Sequence, residues 1–247
     1  KRRTRPIEFR LLYPRAAGIM TVSQGIGEEL QRFCGINPRL FTTILNPVDR
    51  KRGQGAAVAP VQAGPKGRVV ISVGRLDGVK NFKALLRAFA QTVAARGHRD
   101  DRLVILGEGY QRERLVAQAQ KLAIAGQFHL PGFSDDIFAH LAAADLFVST
   151  SLYEGLGNAT LEAIAAGVPC ISTVTAGSQE LAQHITALQL VAQGDDAGLA
   201  EAITAQLAED RLKVSAADQA FIDSLTPDRV LARYLEFIEA KRKGRDE

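Results

Sequence analysis

The stretch VVISVGRLDGVKNFKALLRAFAQTV, Val69 to Val93, decides the fold. It opens with five apolar or small residues, the run that a strand buried on both faces requires. It closes with Phe82, Leu85, Leu86, Phe89 and Val93 at i, i+3, i+4, i+7 and i+11, one face of a helix. Between them the loop Gly74–Asn81 carries Arg75 and Lys80, and Asn81 stands where it can cap the helix. Strand, polar loop and helix make up one βα unit.

The unit recurs along the chain. Further strands are predicted at LVIL (103–106), FHL (128–130), LFVST (146–150), CIST (170–173) and LQLV (188–191). Helices are expected at about 110–124, 135–143, 159–166, 178–184 and 197–208. Repeated strand-then-helix order predicts an α/β fold, a doubly wound parallel sheet of Rossmann-like type. In such sheets ligands lie beyond the carboxyl ends of the strands, so chemistry is sought in the loops there.

Residues 1–50 read differently. AGIMTVS and LFTTIL look like strands and QGIGEELQRFCG like a short helix, too little to bury a core alone. They are therefore expected to be the tail of a preceding domain; with Lys1 first and Met20 its only methionine, the chain is not expected to be a whole translation product. Residues 51–67, rich in Gly, Ala and Pro, read as a linker or mobile loop. Residues 68–226 form the complete lobe. Residues 227–247 hold an amphipathic last helix, about 227–242, through Val230, Leu231, Tyr234, Leu235 and Ile238, and this helix is expected to pack on the tail.

The loops carry the candidate chemistry. Arg75 and Lys80 beside a helix N-terminus make an anion site suited to a phosphate or diphosphate, the plainer alternative being solvated surface charge. GEGY (107–110) has Gly-x-Gly but Arg at position 112, so the dinucleotide fingerprint is incomplete. In PGFSDDI (131–137), Ser134 is a candidate N-cap, and Phe133 faces either a nucleobase or the core, the core being favoured. In SLYEGLGNATLEA (151–163), Asn158 is expected to cap a helix from Ala159, which places Glu154 before the turn and Glu162 one turn beyond it. Both acids then converge on one pocket. Carboxylates accept from vicinal hydroxyls while amides and cations bind phosphate oxygens, so the ligand with both features is a sugar nucleotide. The plainer alternative is a loop acid at Glu154 and a favourable first-turn charge at Glu162.

Composition narrows the partners. The net charge is +4, with the excess in KRRTR at the start and KRKGR near the end. Those ends read as solvated tails or as attraction to an anionic membrane face; nucleic acid ranks behind, because no aromatics interleave with the bases. No apolar run approaches the ~20 residues of a membrane span and no signal peptide is visible, so a cytoplasmic protein is expected. Cys34 and Cys170 stand far apart and the four histidines are scattered, so neither a metal site nor a disulfide is expected. No cofactor is expected.

Taken in order, VGRLDGVKNFKALLRAFA, LVILGEGYQRERL, LPGFSDDI, ADLFVSTSLYEGLGNATLEAIAAGVPCIST and AGSQEL resemble consecutive motifs of the family 4 retaining glycosyltransferases, enzymes of two-lobed GT-B architecture. TILNPVD, 43–49, is similar to the segment joining the acceptor lobe to the donor lobe. The resemblance implies a donor-binding lobe with only the tail of its partner lobe. It implies that Arg75 and Lys80 contact the donor diphosphate, that Glu154 holds hydroxyls of the transferred sugar, and that Glu162 binds the ribose. Gly74 and the amides of Leu156, Gly157 and Asn158 would lie near the phosphates, and Gly132 and Phe133 would flank the base. Arg75, Lys80 and Glu154 are then the catalytic set, acting without a metal, with a UDP-sugar favoured as donor and a saccharide or lipid-linked acceptor. AGSQE departs from the commoner Gly-Gly-x-x-Glu, at Glu180. The alternatives are a non-catalytic nucleotide-sugar-binding module and, third, an NAD-dependent oxidoreductase.

Overall fold

A computed structural model describes residues 11–51 and 59–246. The chain runs β1 (Ile19–Thr21), α1 (Gln24–Cys34), β2 (Phe41–Thr43), β3 (Val69–Val73), α2 (Phe82–Arg96), β4 (Arg102–Leu106), α3 (Arg112–Lys121), β5 (Phe128–Gly132), α4 (Ile137–Ala142) and β6 (Leu146–Ser149). It continues α5 (Asn158–Ala165), β7 (Cys170–Thr173), α6 (Ala176–Leu181), β8 (Leu188–Val191), α7 (Asp196–Glu209), α8 (Ala216–Asp223) and α9 (Pro227–Asp246). All six strands of the larger sheet are parallel, in the order β5-β4-β3-β6-β7-β8. Connections leave β3 toward one edge and β6 toward the other, the doubly wound pattern with its switch point between those strands.

Alternation along the strands feeds two cores. Val70, Leu103, Ile105, Leu146 and Val148 pack with α2, α3 and α7, and Phe82, Leu85, Leu86 and Phe89 are fully buried there. Each such apolar side chain contributes about 1.5–3 kcal/mol when fully buried. Val69, Ile71, Val104, Leu106 and Phe147 face the opposite side, against α5, α6 and α8. Leu45 and Val48 join this second core, and the Val48 N–H donates to the Leu225 carbonyl at 2.8 Å. Of the segment 51–67, residues 52–58 lie outside the described residues, while Val61 and Ala63 pack against the same core.

Several local expectations change. The α8 helix was not foreseen; its start is a capping box in which Ser215 and Asp218 exchange hydrogen bonds. The α6 helix begins two residues earlier than its apolar spacing predicts, because Thr175 and Ser178 form another such box. Among the apolar row of α9, Val230 is buried but Leu231, Leu235 and Ile238 are each more than half exposed. That helix does meet the N-terminal segment, through Phe237 and Lys241: a Cβ on Gly18 would lie 2.8 Å from Phe237 Cζ and 2.7 Å from Lys241 Cε. The basic stretch at Lys1–Arg5 and the side chains of 243–246 lie outside the described residues.

Beside the large sheet, β1 and β2 form a parallel pair of their own, with Ile19 opposite Phe41. Ser23 caps α1, accepting the Ile26 N–H at 3.3 Å, and Gly35 ends it in the left-handed conformation.

Candidate functional site

Because β3 and β6 are neighbours, the loops that leave their carboxyl ends must lie side by side. They are laced together by backbone: the Leu152 N–H donates to the Val79 carbonyl at 2.8 Å, and the Thr150 hydroxyl donates to the carbonyls of Lys80 and Asn81. Within the first loop the Asp77 carboxylate accepts the N–H groups of Val79 and Lys80, which fixes the turn that aims Lys80. The Lys80 ammonium rests on the Glu154 carboxylate, and the same oxygen, Oε1, accepts the Ser151 hydroxyl at 2.9 Å. Both charged side chains are about four-fifths buried, at 21% and 20% exposure, so the pair is shielded from water. Arg75 stands at the mouth of the same loop with 83% of its side chain exposed, 3.4 Å from Asp77.

Two helices begin at this place without a side-chain cap, which corrects two expectations. Asn81 does occupy the N-cap of α2, but its backbone sits in the left-handed region, φ 49°, and its side chain makes no capping bond. The α5 helix begins at Asn158 itself; Gly157, φ 91°, takes the capping position because it adopts that conformation without steric cost. The Asn158 side-chain oxygen Oδ1 instead accepts from the Asn46 side-chain amide at 2.8 Å. Two uncapped helix starts and an exposed arginine lend positive potential to one end of the sheet, where the lysine is matched by Glu154. Leu156 is buried, and Glu162 is half-buried one turn into α5.

A third loop closes the far side. Gly107 N–H donates to the Gly132 carbonyl and Gly74 N–H to the Leu106 carbonyl, holding the three strand ends in register. A Cβ on Gly107 would collide with the Gly74 carbonyl oxygen, so the two loops approach as closely as backbone allows. Between them lies a cavity of about 310 Å³ whose walls include Val73, Leu106, Ile137, Gly74 and Phe133. Phe133 is 67% exposed, which overturns the core placement: its neighbour Gly132, φ 98°, turns the chain outward there. Ser134 is not the cap of α4; Asp136 is, accepting the Ala139 N–H at 3.0 Å.

The sequence reading missed the ties to the N-terminal segment. Tyr153 donates its hydroxyl to Glu29 at 3.0 Å, and the Glu180 carboxylate accepts the Gln24 N–H at 2.6 Å, capping α1 from another helix. These residues line a larger cleft of about 940 Å³ along the ends of β7 and β8. Glu180 thus has a structural partner despite the departure of its motif. Among the described residues no three His, Cys, Asp or Glu side chains group as metal ligands, and no helix is long and apolar enough to cross a membrane. Cys170 is fully buried, and burial pushes its thiol well above the ordinary range.

A doubly wound parallel sheet with cations, an acid and bare helix starts at its switch point defines the class, the Rossmann-like lobe of the GT-B glycosyltransferases. The chain belongs to the glycosyl transferases group 1 family, whose sequence pattern matches residues 67–209. It is 29% identical over 82% of its length to an N-acetylgalactosamine-N,N'-diacetylbacillosaminyl-diphospho-undecaprenol 4-alpha-N-acetylgalactosaminyltransferase of Campylobacter jejuni. It is 31% identical over 78% of its length to the lipopolysaccharide core biosynthesis glycosyltransferase LpsE of Rhizobium meliloti. The chain spans about half the length of these relatives, 54% in each case. Its fold is similar to that of HepE of Anabaena, solved in complex with UDP and glucose, with a TM-score of 0.77 at 21% identity, covering 91% of this chain and 64% of that one.

Proposed function

We propose that this chain is the donor-binding lobe of a retaining glycosyltransferase that takes a nucleotide diphospho-sugar, a UDP-sugar in preference, and passes the sugar to a saccharide or lipid-linked acceptor. The observation that carries the reading is the Lys80–Glu154 pair at the switch point, with Arg75 and two uncapped helix starts beside it. Breaking the bond from the anomeric carbon to the diphosphate leaves negative charge on the leaving oxygen. Arg75, Lys80 and the helix starts supply positive potential for that charge without a metal. Glu154 accepts from hydroxyls of the sugar and Glu162 from those of the ribose, while Gly132 and Phe133 flank the base. Retention then proceeds by attack on the face the diphosphate leaves, with a donor phosphate oxygen taking the acceptor proton, and no side chain serves as nucleophile. The names of the relatives, one acting on a diphospho-undecaprenol-linked sugar and one in lipopolysaccharide core synthesis, support an acceptor of this class; a cytoplasmic site at the inner membrane face is part of the same proposal.

The test is calorimetry of this chain against UDP, GDP, ADP and their sugars. Selective binding of UDP and a UDP-sugar is expected, with Glu162→Ala weakening it; absence of nucleotide binding overturns the proposal. A second reading is a nucleotide-sugar-binding module that transfers nothing by itself. Transfer from a radiolabelled donor, measured before and after supplying the N-terminal half of a relative, separates the two.

A further inference from the structure

Ser134 stands apart among the hydroxyls near the strand ends. Thr150, Ser151, Thr173 and Ser178 each donate to a carbonyl or carboxylate oxygen. Ser134 is only 9% exposed, yet its Oγ has neither solvent nor a hydrogen-bond partner among the described residues. Leaving a buried hydroxyl unpaired is costly, and structures seldom do so without a use for it.

Its surroundings indicate the use. Ser134 lines the cavity of about 310 Å³ between the loops after β3, β4 and β5, where Val73, Leu106 and Ile137 supply apolar wall. Three lining residues carry strong side-chain hydrogen-bonding groups, and two are engaged: Glu108 with Arg112 at 3.2 Å, and Arg75 with Asp77. Ser134 is the uncommitted one. Oγ is covered in its present rotamer, but nothing holds it there, and a turn about χ1 carries it to another staggered position. The cavity it lines is where a partner can enter.

The volume sits at the low end of the ~300–1,000 Å³ range of ligand pockets, the size for a ring rather than a whole nucleotide. Phe133 at the rim offers a face for stacking, and Arg75 connects the cavity to the cationic loop. We infer that Ser134 holds the donor's base, its hydroxyl turning to pair with a carbonyl or ring N–H on the edge of a planar heterocycle held in this cavity. A hydroxyl both donates and accepts, so one side chain serves either group. Where a site is built to hydrogen-bond an edge, a ligand lacking that edge is rejected far more strongly than its shape alone would require. The inference rests on the nucleotide-donor reading above and adds a side chain that holds the base.

Calorimetry with UDP and with ribose 5-diphosphate, which lacks the base, tests it on the wild type, Ser134→Ala and Ser134→Thr. Ser134→Ala is expected to weaken UDP binding about five- to tenfold, the worth of one neutral hydrogen bond, and to leave ribose 5-diphosphate unchanged. Its melting temperature is expected to hold or rise, since an unpaired buried hydroxyl is deleted. Ser134→Thr keeps the hydroxyl and is expected to retain most of the UDP affinity. Unchanged UDP affinity in Ser134→Ala, or an equal loss for both ligands, overturns the role of Ser134 while the donor site stands. Failure of the wild type to bind either ligand overturns the donor site and this inference together.

Discussion

Lys80 and Glu154, 74 residues apart in sequence, form an ion pair whose two side chains are both about four-fifths buried. The pair bridges the loops after β3 and β6, and Ser151 steadies the carboxylate from the side. Cation and acid are thus held at fixed positions over the switch point, and each neutralises the other in a place where an unpaired charge would be costly.

Removing either partner therefore costs both fold and ligand. Lys80→Ala is expected to lower stability by roughly 1–2 kcal/mol, between the values of exposed and fully buried pairs. In a double-mutant cycle with Glu154→Gln, followed by urea denaturation, the coupling is expected to reach about 1 kcal/mol. A coupling near zero would mean that the contact is incidental.

Phe133 is exposed and touches the site only at its rim. Phe133→Ala is expected to leave the denaturation midpoint within about 0.5 kcal/mol of wild type. Nucleotide affinity should fall by roughly 1–2 kcal/mol through lost stacking. Equal UDP affinity in the variant would remove the side chain from the site.

Gly107 has φ 144° and no room for a Cβ. Gly107→Ala is expected to destabilise by about 2–4 kcal/mol, since the Gly74 carbonyl must move and carry Arg75 with it. Thermal melting reads the loss, and nucleotide affinity should fall with it.

Asp218 is buried and accepts the N–H groups of Thr186 and Ser215 at 2.6 and 2.8 Å. Burial alone would raise its pKa; the backbone bonds from Ser215 and Thr186, aided by their hydroxyls, outweigh it and hold the carboxyl below the ordinary range. A depressed folded value means that the carboxylate's contribution is complete above the unfolded value of about 3.9 and is lost as pH falls through the folded one. Urea denaturation should find Asp218→Asn less stable by about 1–3 kcal/mol at pH 7. The gap should narrow below about pH 4; a pH-independent gap would contradict the assignment.

Glu180→Ala removes the carboxylate that accepts the Gln24 N–H at the start of α1. Amide exchange at Gln24 should quicken, while amides in α2, whose apolar face fills the main core, should not change. Equal acceleration in both helices would point to global destabilisation instead.

How far the chain was legible follows from the range of each signal. Short apolar runs marked all six strands of the main sheet; in the four inner strands, burial on both faces leaves a pattern in four or five adjacent residues. The α8 helix escaped because AADQAFID shows a weak apolar face, and what starts it is a capping exchange between Ser215 and Asp218. Phe133 was assigned to the core on its side chain alone, whereas the turn at Gly132 sends it outward.

By itself the sequence determined a doubly wound α/β lobe and put Arg75, Lys80, Glu154 and Glu162 in loops and helix starts at strand ends, since those are local matters of periodicity and turn chemistry. Only the tertiary structure decided that Lys80 meets Glu154, that Glu180 caps α1, and that the Ser134 hydroxyl is left unpaired beside a cavity. The physical reason is strand order: hydrogen bonding of β6 to β3 brings together loops far apart in the chain, and no residue pattern along a single strand records which strand lies beside it.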